Sequence, residues 1–228
     1  MTSLQNEHSI FKRVYDNISS NKRIRDSGGF VCIPWNLPRL SNVLPGIQRS
    51  KYVIVTASSK VGKSQLTDFL FLHQPYEFYL KNPTANIKPK IFYFSLEMSK
   101  ESKIMSVLAY KLFKDHNISK SPEDLLSVFN RYVVDDELLK LIESYQPFFE
   151  EFERRVIFHD QVRNPYGIFK TIESYAESNG KWTYKEIDWE EDGKTIRKTV
   201  RDYYTPNDPE ELVIVITDHV SLTSRRVR

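Results

Sequence analysis

Hydrophobic and polar positions along this chain switch between two periods. Four short apolar runs have strand composition: Tyr52–Val55 in "KYVIV", Lys90–Glu97 in "KIFYFSLE", Arg154–Asp160 in "RRVIFHD", and 212–217 in "ELVIVITDHVSL", which ends on Asp218. The second is apolar almost without interruption, the pattern of a strand buried on both faces of a parallel sheet. Between these runs the apolar residues recur at helical spacing. Leu66, Phe69 and Leu70 follow a loop at Gly62, and Ile104, Val107, Leu108 and Leu112 follow a capping serine at Ser99. Helical patterns also cover 122–132 and 135–153, the latter interrupted at Pro147. Asn164 and Pro165 make a cap and first-turn pair opening a helix to about Ser178. Strands alternating with helices predict an α/β fold with a mainly parallel sheet flanked by helices.

Two segments stand outside that alternation. Residues 4–25 carry a narrow stripe of Ile10, Phe11, Val14 and Ile18 amid Lys12, Arg13, Lys22, Arg23 and Arg25, the pattern of a helix lying on a partner surface. Gly28 and Gly29 end it, and an irregular stretch with Pro34, Pro38 and Pro45 follows. Residues 181–205 read as an inserted β-hairpin, with Asp192-Gly193 as the turn between two arms rich in Trp, Tyr, Thr, Ile and Val.

Composition narrows the class without naming a partner. Lys and Arg total 33 against 30 Asp and Glu, so 33 − 30 = +3, too weak a balance to point to nucleic acid. Cys32 is the only cysteine, which rules out an internal disulfide and a cysteine-rich metal site and suits a reducing, cytoplasmic setting. No apolar run nears the roughly 20 residues that span a bilayer, and no membrane partner is expected.

The stretch "TASSKVGKS" carries the candidate chemistry. It matches the phosphate-binding loop pattern except that Ala57 stands where the first glycine is usual. Amides around Val61, Gly62 and Lys63 would face a β-phosphate, Lys63 would reach the β and γ oxygens, and Ser64 would hold Mg²⁺ at a helix start. A bare GKS tripeptide also occurs in ordinary turns; the strand before it and the helix after it are the context that favours nucleotide. Glu97 ends a buried strand, where a carboxylate either activates water for attack on a γ-phosphate or caps the following loop. Asp218 ends another, the position of a magnesium-binding carboxylate or of a plain turn residue. In the hairpin, Trp182, Tyr184, Trp189, Tyr203 and Tyr204 lie among Lys185, Lys194, Arg197, Lys198 and Arg201, a set suited to stacking bases. Glu186, Asp188, Glu190, Glu191 and Asp192 favour a solvated, protein-facing hairpin instead. Arg225, Arg226 and Arg228 make a basic tail.

"IVTASSKVGKS", "IFYFSLEMSKES" and "LVIVITDHVSL", in that order, resemble the ATPase domain of DnaB-type replicative helicases, a RecA-like fold. "FSLEMSKE", Phe94 to Glu101, is the most specific piece, and the likeness runs from about residue 30 to 222. The resemblance implies ATP and Mg²⁺ as cofactors. It implies nucleotide contacts from Ala57, Ser58, Ser59, Lys60, Val61, Gly62, Lys63, Ser64 and Gln65, with Glu97 and Lys63 catalytic and Ser64 and Asp218 at the metal. It implies a homo-oligomeric ring, hexameric in the complete protein, that moves on single-stranded DNA in a bacterial cell or phage-infected host, with a primase or loader as further partner.

Residues 1–29 then form a linker-like helix and 30–228 the ATPase domain, interrupted by the hairpin at 181–205. Members of that family continue past the Asp218 strand with a γ-phosphate sensor, DNA-contacting loops and an arginine finger. Here ten residues follow Asp218, which implies a fragment, a split gene product or a shortened relative with little turnover of its own. The alternative reading is a nucleotide-binding adaptor of a replication or recombination complex. A nucleotide-kinase type phosphotransferase is disfavoured because no basic lid sequence is evident.

Overall fold

The computed structural model describes residues 10–129, 132–191 and 194–218. The chain divides into two compact units, one through Pro89 and one from Lys90 onward.

The first unit is helical. Helix α1, Ile10–Asp26, buries no residue: Ile10, Phe11, Val14 and Ile18 are all exposed, so its apolar stripe faces solvent. Helix α2 is a single turn, Pro38–Ser41, opened by its proline. An isolated two-way bridge joins Ile33 and Ile47, with N–H···O distances of 3.0 and 2.8 Å. Gly46 makes this approach possible, since a Cβ there would lie 2.1 Å from the Ile33 carbonyl oxygen.

Helix α3, Lys63–Asp68, runs through a π-helical turn at Phe69–His73 into α4, Gln74–Lys81. The π step falls just before Pro75, which has no N–H to continue the ladder. Gln74 instead donates back to the Phe69 carbonyl, five residues away. Leu70, Leu72, Tyr76 and Phe78 are buried here, as are Cys32, Ile33, Trp35 and Ile47, and edge-on contacts of Phe78 with Phe30 and of Phe71 with Trp35 join the two segments. Buried Gln74 is satisfied by the Asn36 amide, which donates to its Oε1 at 2.9 Å.

The second unit is α/β. Strands β1 (Lys88–Ser95), β2 (Val156–His159) and β5 (Glu211–Asp218) form a three-stranded parallel sheet in the order β2-β1-β5. Phe94 pairs with His159 and Ile91 with Val156. The central strand is buried on both faces, as its unbroken apolar run predicts. Strand β5 alternates: Leu212, Ile214 and Ile216 are buried while Val213 and Val215 are exposed.

Helix α5 (Lys100–His116) follows β1 and is capped by Ser99, whose Oγ accepts from the Ser102 amide at 3.2 Å. Leu108 and Leu112 on α5 share a core with Leu125 of α6 (Pro122–Leu125), Leu138 of α7 (Asp136–Glu143) and Tyr145. Helix α8 (Gln146–Arg155) stacks Phe148 on Phe152, and Phe152 reaches Phe158 of β2. Helix α9 (Pro165–Ser178) begins at Asn164, whose Oδ1 accepts from the Gly167 amide at 2.7 Å. The antiparallel hairpin of β3 (Gly180–Glu191) and β4 (Lys194–Pro206) then separates α9 from β5.

Several expectations are corrected. Tyr52–Val55 is not a strand; Tyr52, Val53 and Ile54 are exposed. A strand exists only in a ladder, and none of the described sheet strands pairs with it. The helix expected over 122–132 stops at Leu125, beyond which Ser127 takes a left-handed turn at φ 53°. The 135–153 pattern is two helices, with Pro147 in the first turn of the second, where its missing N–H costs nothing. On α5, Ile104 is only half-buried, and the residue before it, Lys103, is buried instead. The hairpin turn Asp192-Gly193 and the basic tail at 225–228 lie outside the described residues. No helix among those described is long and apolar enough to cross a membrane.

Candidate functional site

The loop before α3 is built for close backbone approach. Lys60 and Gly62 both take left-handed conformations, φ 63° and 89°, turning the chain sharply into Lys63. Ala57, Ser58, Ser59, Lys60 and Val61 are exposed, Lys63 and Ser64 partly buried, and Gln65 exposed. No side chain caps α3, so its first-turn amides emerge at Gly62, Lys63 and Ser64, and the first intrahelical bond is the Leu66 amide to the Gly62 carbonyl at 2.9 Å. A Cβ on Gly62 would meet only Gln65 Oε1, at 3.7 Å, leaving the space over this turn open. A phosphate group fits the chemistry of this segment: an uncapped helix start at a left-handed glycine, followed directly by a lysine and a serine.

The two predicted carboxylates belong to the other unit and share one end of its sheet. Glu97 is exposed, in the turn between β1 and α5 that Ser95 Oγ ties to the Met98 carbonyl at 2.7 Å. Asp218 closes β5, and the backbone brings the two together: the Leu96 amide donates to the Asp218 carbonyl at 2.8 Å. Asp160, just past β2, completes a row of acidic residues at the carboxyl ends of all three strands. The Lys100 amide at the start of α5 donates to Asp160 Oδ2 at 3.2 Å and holds its carboxyl below the usual range. A strand ending in Asp, as in "VIFHD", was the available signal for this residue, the same signal that singles out Asp218.

Asp218 has a setting that composition and period do not reveal. It is 7% exposed, and Lys103, 2% exposed, extends from α5 to within 3.5 Å of its Oδ2. Tyr93 of β1 joins them: Lys103 Nζ donates to the Tyr93 hydroxyl at 2.7 Å, and that hydroxyl donates to Asp218 Oδ2 at 3.2 Å. The ammonium also lies 4.4 Å from the Tyr93 ring centroid. Lys103 sits one helical turn before buried Val107, so a charge on the inward face of α5 was the sequence signal for it.

Other features sort themselves by their partners. His159 stacks on Phe94, 4.8 Å between centroids and nearly parallel, and burial pushes its imidazole below its ordinary value while Asp160 partly opposes this. On the hairpin, Arg197 lies beside Glu186 and Asp188, Lys185 pairs with Asp202, and Lys198 pairs with Glu191. Arg201 reaches across to Glu173 and Glu177 of α9. Those basic side chains thus have acidic neighbours on the hairpin itself or on α9. Among the described residues no group of three His, Cys, Asp or Glu side chains is arranged to hold a metal ion. Comparisons with protein-family models, with curated proteins and with solved structures give no match.

Proposed function

We propose that the chain is a P-loop nucleoside triphosphatase of the replicative DNA helicase type, RecA-like in fold. The observation that carries this reading is the left-handed Gly62 set directly before Lys63 and Ser64 at an uncapped helix start. The likeness of "FSLEMSKE" to that helicase family supplies the polymer. On this reading ATP is the substrate and single-stranded DNA the track, with a homo-oligomeric ring, hexameric when complete, as the working form. A primase or loader is its further partner in the cytoplasm of a bacterial or phage-infected cell.

The residue roles are those the family resemblance implies. First-turn amides and Lys63 bind the phosphates, and contacts extend along Ala57, Ser58, Ser59, Lys60, Val61 and Gln65. Glu97, exposed at the end of β1, orients the attacking water and accepts its proton. Magnesium, when bound, neutralises charge on the β and γ oxygens, and the Ser64 hydroxyl would hold it. The surroundings of Asp218 do not fit a divalent ion, because a buried ammonium already neutralises that carboxylate. That pairing favours one alternative, a nucleotide-binding adaptor of a replication or recombination complex with little hydrolysis.

The test is equilibrium titration with labelled ATP. Lys63→Ala, folded as judged by circular dichroism, should bind at least about tenfold more weakly, the loss of one charge-assisted phosphate contact. Equal affinity for wild type and variant would remove the loop from nucleotide binding.

A further inference from the structure

We infer that Lys103 is the resident cation of Asp218 and keeps a divalent ion off that carboxylate. The inference rests on the nucleotide reading above for its metal, but its geometry belongs wholly to the second unit.

A side-chain amine as buried as Lys103 needs acceptors around it, because a buried polar group without a partner is costly. Three elements supply its surroundings. Strand β1 gives the Tyr93 hydroxyl at 2.7 Å and the face of the same ring, β5 gives Asp218 Oδ2 at 3.5 Å, and α5 carries the lysine itself. The three groups form a directed chain in which the ammonium donates to the phenol and the phenol donates to the carboxylate. Tyr93 is 0% exposed and is anchored in the central strand, so the chain is fixed by backbone pairing and not by mobile surface arms.

A divalent ion at the same carboxylate would stand beside an ammonium that repels it, in a medium that screens poorly. It would also find no other acidic cluster arranged as ligands among the described residues. Removing either member of a buried pair alone is unfavourable, since the other charge is left uncompensated. Lys103 and Asp218 therefore act as a unit: the pair fixes the end of β5 beside the Glu97 turn, to which the Leu96 amide already ties it.

Mn²⁺ binding read by electron paramagnetic resonance tests this, with the full chain and a non-hydrolysable ATP analogue. Asp218→Asn should leave Mn²⁺ affinity within about twofold of wild type, and Ser64→Ala should weaken it about tenfold. Lys103→Gln should strengthen binding about tenfold by uncovering the carboxylate, and the gain should vanish in Lys103→Gln with Asp218→Asn. Asp218→Asn alone weakening Mn²⁺ as Ser64→Ala does, or Lys103→Gln giving no Asp218-dependent gain, would overturn the inference. Where a single variant melts too low to titrate, Lys103→Met with Asp218→Leu replaces the pair by apolar groups. It should bind Mn²⁺ as wild type does, and loss of binding there also overturns the inference. A wild type with no nucleotide-dependent Mn²⁺ binding and no response to Ser64→Ala would instead refute the nucleotide reading. The gain in Lys103→Gln, measured without nucleotide, would still decide the role of Lys103.

Discussion

Gly62→Ala separates a phosphate cradle from an ordinary turn, because its two effects have different origins. Gly62 sits at φ 89°, ψ 21°, where a Cβ crowds the following carbonyl and costs roughly 1–2 kcal/mol. Space is not the obstacle, since the new Cβ would meet only Gln65 Oε1 at 3.7 Å. The stability loss should therefore stay near that backbone cost, a fall in Tm of roughly 2–8 °C for a domain of this size. Gly46 is the contrast: a Cβ there lies 2.1 Å from backbone oxygen, so Gly46→Ala should cost more and break the Ile33–Ile47 bridge. For nucleotide, the consequence at Gly62 is larger. The methyl group enters the open space over the turn, into which a phosphate must come to meet the amides of Lys63 and Ser64, and the Kd for ATP should rise at least about tenfold, or 1.4 kcal/mol. Thermal melts and equilibrium titration with a fluorescent ATP analogue measure the two effects on the same sample. A variant that melts a few degrees lower yet binds ATP with unchanged affinity would refute the cradle.

Three further outcomes follow from the same geometry. Glu97→Gln should keep ATP binding and lower phosphate release by about 10²- to 10⁴-fold, the usual worth of a general base; an unchanged rate takes Glu97 out of the chemistry. Phe152→Ala should cost about 3–5 kcal/mol in urea denaturation, because a 1%-exposed ring in contact with Phe148, Phe149 and Phe158 leaves a cavity; a loss below about 1 kcal/mol contradicts that packing. His159 has a folded pKa below its unfolded one, so protonation favours the unfolded chain. Stability attributable to it is full above about pH 6.5 and falls as pH drops below that value, and His159→Phe should flatten this part of the melting-temperature profile. An identical slope in both proteins would assign the acid sensitivity elsewhere.

What was legible in the sequence was mostly what neighbouring residues decide. The Ser99 and Asn164 caps are local hydrogen bonds, and both formed where the pattern placed them. The unbroken run at 90–97 announces a doubly buried strand, and the hairpin follows from two β-prone arms around Asp192-Gly193. Tyr52–Val55 failed as a strand because pairing is non-local: its residues have the propensity, but a ladder partner is not a property of the run itself. Lys103 stayed hidden for a related reason. An inward-facing lysine looks like an error in a helical stripe until the aspartate that neutralises it, 115 residues away, is placed beside it. The places of Glu97 and Asp218 near strand ends were legible because strand ends are a sequence feature, but how far each carboxylate is buried depends on tertiary neighbours.

The central claim is that the turn at Gly62 receives the phosphates of a nucleotide. Backbone amide shifts of ¹⁵N-labelled protein, followed through a titration with Mg-ATP, test it most directly. The account predicts saturable shifts concentrated at Val61, Gly62, Lys63 and Ser64, with Lys63→Ala moving their midpoint to at least about tenfold higher ATP. Saturable shifts confined to residues away from this loop, or no shifts at millimolar ATP, would contradict it.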